Sequence, residues 1–310
     1  MKRNNTSPAV AHGFRTFLQR KGLSVSTQKF YCYQVERFLQ WYGKDASNAQ
    51  SKDILRYLDY LQNKRSLQNI TRRNHLISID HYFQSIGLPN VTAFIRLQGT
   101  KKQKIQYIFS TEELLQLYDG YYAVYIQNID PNDWKASLLT RWRNYIVLGF
   151  LVFQGLHTHE VDALTIDDLD LIKARLNVKP KSRGNARSLP LEATQIGGLM
   201  HYLHLIRPEF SASDTNKLFL PTAKYMRVED RHKMSIMPGM RHLNKSLKTL
   251  HKDYRKMTQL RASVITHWIK SQGLRKAQVL AGHKSIISTE EYIHNDLEAL
   301  IDDINTFNPF

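Results

Sequence analysis

A chain of 310 residues, 42% apolar and 23% charged, is long enough for two ordinary domains or one large one and apolar enough to bury a core, which excludes compositional disorder. Its 44 Lys and Arg outnumber 27 Asp and Glu, and the formal +17 points to a polyanionic partner, nucleic acid or an acidic membrane surface. One cysteine, Cys32, excludes an internal disulfide framework and a cysteine-based zinc cluster. The best apolar run, Tyr145–Leu156, is too short to span a bilayer, and MKRNNTSPAV lacks a secretory apolar core. The expectation is a soluble protein of the cytoplasm that does not enter a membrane.

The charge is unevenly placed. Residues 1–104 hold 18 Lys and Arg against 5 Asp and Glu, a net +13, while the other 206 residues net only +4. A basic first module that grips a polyanion, followed by a nearly balanced second one, is the simplest reading.

In chain order, four helices are expected first. Phe14, Phe17 and Leu18 mark one over Val10–Arg20. Ser26 or Thr27 can cap the next, whose stripe is Phe30, Tyr31, Val35, Phe38, Leu39 and Tyr42 before Gly43. A third runs from about Ser51 with Ile54, Leu55, Leu58 and Leu61 inward. A fourth covers Ser66–Ile86 with Ile70, Leu76, Ile79, Tyr82 and Phe83 inward and Arg72 and Arg73 on its polar side. Leu88-Pro89-Asn90 ends it, and a polar, basic connector follows at Gly99–Lys104. The boundaries read as 1–99 for the first domain, 100–109 for a basic linker and 110–310 for the second domain. The second opens on a capping box, Ser110-Thr111-Glu112-Glu113. Arg141–Phe153 is a long helix buried on most sides, Leu169–Val178 is strand-like, and a turn at 182–185 leads to a short strand ending at Leu191. Helices dominate after Gln195.

Three boxes stand near the C-terminus: Leu260-Arg261-Ala262-Ser263, Leu280-Ala281-Gly282-His283 and Glu291-Tyr292-Ile293-His294, with Tyr292 nine positions after His283. Upstream lies Gly155-Leu156-His157-Thr158-His159-Glu160, followed by Asp167-Asp168-Leu169-Asp170. In this order and spacing they resemble the tyrosine recombinases, the phage-type integrases, and the basic four-helix module resembles that family's core-binding domain. The resemblance covers essentially the whole chain. It implies a mainly α fold: an N-terminal four-helix, SAM-like core-binding domain and a mixed α+β, mostly helical catalytic domain with a small β-sheet.

What the resemblance implies about chemistry is specific. Tyr292 attacks a scissile phosphate and holds it as a 3′-phosphotyrosine, without a metal or any other cofactor. Arg261 offers its forked donors to the non-bridging oxygens, and His283 donates to the same phosphate. Lys181, in Pro180-Lys181-Ser182-Arg183-Gly184, protonates the leaving 5′ oxygen, with Arg183 as the rival for that place because the turn is one residue longer than usual. Two positions depart from the pattern: His157 stands where the family carries its first arginine, and Thr258 where its second box begins with histidine. Arg141, Arg143 or Arg255 can supply the missing charge.

The implied function is site-specific cleavage and rejoining of DNA strands for a mobile element or a chromosome or plasmid site, at the nucleoid. The implied assembly is a homo-oligomer on double-stranded DNA, a dimer per site and a tetramer in the synapse, with residues 296–310 as a tail docking on a neighbouring protomer. Lys29, Arg72 and Arg73, with Lys101, Lys102 and Lys104 of the connector, are the expected phosphate contacts. Two alternatives stay open: a DNA-binding protein descended from such enzymes that has lost cleavage, and a type IB topoisomerase-like relaxing enzyme. His157 and His159 are a poor metal pair, since i and i+2 on a helix point roughly 200° apart. Tyr121, Tyr122 and Tyr125 read as core.

Overall fold

The computed structural model describes residues 8–88, 91–97, 106–128, 135–180, 184–210, 215–222 and 235–293. The chain divides into two compact units, Met1–Gln103 and Lys104–Phe310.

The first unit holds four helices: α1 (Pro8–Arg20), α2 (Val25–Tyr42), α3 (Ser51–Asn63) and α4 (Asn69–Ser85). Their apolar stripes meet in one core containing Phe14, Leu18, Phe38, Ile54, Tyr57, Ile79 and Phe83. Two polar pairs lie buried in that core: Ser78 donates to Gln34 across α4 and α2 at 2.6 Å, and Tyr57 shares a hydrogen bond with His75 at 3.2 Å.

Several expectations are corrected here. Ser24, not Ser26 or Thr27, caps α2, its hydroxyl accepting from the Thr27 N–H. Phe30, Leu55 and Ile70 face outward, because each sits at the edge of a stripe whose centre is already filled. Ser66 takes a positive φ of 51°, and the fourth helix starts only at Asn69. Arg72 does not lie on the solvated side of α4. It is 8% exposed, and its Nη1 donates to Gln62 at 2.6 Å and Asn69 at 2.8 Å, so this guanidinium ties α4 to α3. Arg73 and Lys29 are exposed.

In the second unit Ser110 and Glu113 form the expected capping box at the start of α5 (Thr111–Tyr122). The central α6 (Lys135–Val152) is buried from Arg143 to Val152. After α7 (Thr158–Ala163) comes an antiparallel sheet of order β1 (Leu169–Asp170), β2 (Arg175–Val178), β3 (Arg187–Pro190), with Leu176 opposite Leu189. The single strand-like stretch at Leu169–Val178 is thus two strands folded over a turn, in which Ala174 has a φ of 49° and Ile172 is fully exposed. The remaining helices are α8 (Ala193–His201), α9 (Met240–Leu250), α10 (Met257–Gln272), α11 (Leu274–Ala281) and α12 (Ile287–Glu290). Tyr121 is buried in the core, as its spacing suggests, while Tyr122 lies at its edge. Among the described residues no helix is long and apolar enough to cross a membrane.

Candidate active site

The first turns of α10 are buried on all sides but one, and this places Arg261 inside the protein at 3% exposure. A buried guanidinium must satisfy its donors locally. Arg261 Nη1 donates to the Gly155 carbonyl at 2.6 Å, and Nη2 to the Ala281 carbonyl at 2.8 Å. Gly155 carries a φ of 55°, and a Cβ there would press on Val264 at 3.0 Å, so glycine is required where the chain delivers that carbonyl. Ala281 ends α11, whose C-terminal carbonyls favour a cation.

Arg261 Nη2 also lies 3.1 Å from His283 Nε2. Arginine can only donate, so Nε2 is the acceptor and the ring proton sits on Nδ1, which gives it to the buried Thr289 hydroxyl at 2.9 Å. Burial first, then the charges of Arg261 and Arg187, hold the His283 pKa down to about 4, and the ring is neutral at pH 7. Tyr292, in the turn after α12, stacks on His283 with centroids 5.9 Å apart and ring planes at 14°. Tyr292 thus lies beside the ring that Arg261 holds, and its side chain acts electrostatically on that guanidinium. Three residues from three separate sequence boxes therefore meet at one point.

His157 is the residue just before α7, in an extended conformation (φ −70°, ψ 146°). That conformation corrects the helical expectation for the histidine pair: the His157 and His159 rings stack at 4.9 Å with a 23° tilt instead of diverging. Burial, then the Arg261 charge, lowers the His157 pKa to about 4. Thr258 is exposed in the first turn of α10, three residues ahead of Arg261.

Two charged residues of this cluster are absent from the sequence-based list. Glu160, in the first turn of α7, accepts the His157 backbone N–H at 2.8 Å and forms a two-pronged ion pair with Arg187 at 2.8 and 2.9 Å. Arg187 is buried on β3, in phase with inward-facing Leu189. The period-two spacing Arg187, Leu189, Leu191 carried that signal. Burial alone would raise the Glu160 pKa, but the hydrogen bonds and charge of Arg187, the His157 N–H and Arg261 outweigh it and hold the carboxyl at about 2.

Two of the three arginines expected to compensate for His157, Arg143 and Arg255, are engaged elsewhere. Arg143, 1% exposed, donates to the Leu220 carbonyl at 2.9 Å and to Asn144 at 3.2 Å. Arg255 donates to the carbonyls of Lys252 and Tyr254, and Arg141 has bonding of its own. Lys181, Arg183, Lys101, Lys102, Lys104 and the tail at 296–310 lie outside the described residues. The segment just after the turn is pinned to the site: Gly184 bridges His283, and the Asn185 N–H donates to the Gly282 carbonyl at 2.9 Å.

Comparison with known proteins gives the following. Residues 134–298 match the phage integrase family, and residues 11–87 match the phage integrase N-terminal SAM-like domain. The tyrosine recombinase XerA of Thermococcus kodakarensis is 27% identical over 303 residues, covering 94% of this chain and 92% of its own. Among solved structures, the XerH site-specific recombinase bound to its difH substrate, a pre-cleavage complex, shares the fold with a TM-score of 0.67 at 17% identity, over 94% of this chain and 83% of that one. A lambda integrase tetramer bound to a Holliday junction does so at 0.64 and 14% identity, over 92% and 76%.

Proposed function

We propose that this chain, which belongs to the phage integrase family and is a site-specific DNA recombinase, cuts DNA with Tyr292 as the nucleophile. The observation that carries the assignment is the stacking of the Tyr292 ring on His283, whose Nε2 is held by the buried Arg261 guanidinium. The Tyr292 hydroxyl gives up its proton as its oxygen bonds to phosphorus, the P–O5′ bond breaks, and the 5′ oxygen leaves with a proton, so one proton is lost for each one gained. The phosphate diester energy is kept in a 3′-phosphotyrosine for rejoining. Arg261 stabilises the charge that builds on the non-bridging oxygens, oriented in advance by the Gly155 and Ala281 carbonyls.

In the DNA-free protein His283 Nε2 accepts from Arg261. A phosphate arriving at Arg261 replaces that acceptor and raises the histidine's proton affinity, so His283 becomes a donor only on the substrate. Lys181 is the proton source for the leaving oxygen. It stands three residues before Gly184, so at most about 11 Å of extended chain separates it from a residue paired with His283. A lambda integrase dimer bound to a core site and a lambda integrase tetramer bound to a Holliday junction, both of this fold, support a dimer on each site and a tetramer in the synapse. Lys29, Arg73 and the connector lysines 101, 102 and 104 supply phosphate contacts. Transposon and phage integrases share this fold, in keeping with service to a mobile element.

The test is a suicide duplex carrying the sequence that the wild-type protein enriches from a random duplex pool, with nicks placed at each position across it. Wild type forms a covalent adduct that survives denaturing electrophoresis and Tyr292→Phe forms none. An adduct retained by Tyr292→Phe, or none from wild type, contradicts the assignment.

A further inference from the structure

Glu160 and Arg187 belong to the cluster but have no part in the bond-making described above. Their geometry assigns them one. Both Glu160 oxygens are turned to Arg187, Oε1 to Nη1 at 2.8 Å and Oε2 to Nη2 at 2.9 Å. Oε2 takes the His157 backbone N–H as well. Arg261 Nη1 approaches that same oxygen only to 3.5 Å, outside the roughly 2.7–2.9 Å of a charge-assisted hydrogen bond. The two side chains of the clamp are 2% and 11% exposed, so little water screens them. Two guanidinium groups and one carboxylate, beside histidines that are neutral at pH 7, leave the cluster one positive charge. The Gly-His turn is shaped around the clamp: a Cβ on Gly282 would sit 2.6 Å from Arg187 Nη1.

We propose that Arg187 is a positioning residue whose two-pronged hold on Glu160 keeps that carboxylate at the longer 3.5 Å ion-pair distance from Arg261 and out of a hydrogen-bonded fork, so that Arg261 meets the scissile phosphate with its donors free and its charge only partly offset. The inference rests on the proposed role of Arg261 in cleavage. Without Arg187, Glu160 is the nearest anion to Arg261, and a small rotation makes a fork-to-fork pair that competes with the phosphate. Arg187 also adds positive potential from β3 in a site whose residue 157 is neutral at pH 7.

The test measures adduct formation per bound complex on the selected nicked duplex, with DNA affinity and melting temperature recorded for each variant. Arg187→Gln cleaves roughly 30-fold slower or worse, on the scale of losing one stabilising donor. The double variant Glu160→Gln/Arg187→Gln removes one charge of each sign, leaves Arg261 unopposed and recovers at least about tenfold over Arg187→Gln. A merely structural clamp predicts no such recovery, because the double variant lacks the clamp altogether. Arg187→Lys keeps the charge but only one prong, so its cleavage rate falls between wild type and Arg187→Gln. Arg187→Gln within about threefold of wild type, a double variant no faster than the single one, or a folded Arg187→Lys that does not cleave overturns the proposal. If Arg187→Gln does not fold, the double variant and Arg187→Lys decide it against wild type. Absence of adduct from wild type would instead overturn the cleavage reading itself.

Discussion

At position 157 the side chain carries no charge at neutral pH in the DNA-free protein, because burial, and then Arg261, hold its pKa down to about 4. The sign of the pH effect follows. The protonated fraction grows as pH falls, and a bound phosphate raises it further. Above pH 7 wild type therefore lacks a cation at the position where the family resemblance implies an arginine. His157→Arg supplies one permanently, so cleavage per bound complex rises at pH 8, by up to about 10²-fold if the guanidinium reaches the phosphate. The advantage shrinks toward pH 6 as His157 protonates on the complex. A ratio of the two rates that does not change with pH, or a slower variant with an intact fold, contradicts this account. The clustering of Arg261, His283 and Tyr292 was legible where residue type and spacing coincide. Arg187 was hidden because a charged residue on a short strand reads as surface, and only its partner Glu160, 27 residues upstream, makes its burial tolerable.

Helices were the elements most open to reading, since each carries its own stripe and caps: the Ser110–Glu113 box and the buried length of α6 follow directly from residue order. The errors fell where tertiary packing decides. Ser24 capped α2 in place of two equally suitable neighbours, and Leu169–Val178 folded back at Ala174 so that Leu176 could pair with Leu189. The Gly-His turn after α11 is the element on which the site's geometry depends. Gly282 has a φ of 71°, and an added Cβ would meet Arg187 Nη1 at 2.6 Å and the Asn185 carbonyl at 3.1 Å. Gly282→Ala lowers the melting temperature by about 2–8 °C, from left-handed strain of about 1–2 kcal/mol. It also slows adduct formation by more than about tenfold through the displaced Arg187. Gly43→Ala is the control: its φ is 65° with nothing within 4 Å, so it pays the strain without slowing cleavage. Equal loss of cleavage in both variants would sink this view of the turn.

Across the whole molecule, the charge asymmetry was the feature that announced two units, with a net +13 in residues 1–104 against +4 in the rest. Such a bias makes DNA association strongly dependent on salt. If six or more phosphates are neutralised, affinity for duplex DNA falls by about 10³-fold or more between 50 and 200 mM salt. Replacing exposed Arg73 or Lys29 by alanine each lowers the logarithmic slope by roughly one. Arg72→Ala acts differently, since that guanidinium holds Gln62 and Asn69: it destabilises the first unit. A slope unchanged by Arg73→Ala and Lys29→Ala, or a flat salt response, excludes this placement of the DNA. Sequence reading could not anticipate the inward turn of Arg72, because its helix offers no local acceptor except Asn69, and Gln62 comes from the preceding helix.

The most direct measurement is the chemical identity of the protein–DNA linkage. Protease digestion of the trapped adduct followed by mass spectrometry should find a nucleotide joined through its 3′ phosphate to the peptide containing Tyr292, and to that tyrosine alone. A 5′ linkage, or a nucleotide on any other side chain, would contradict the account at its centre.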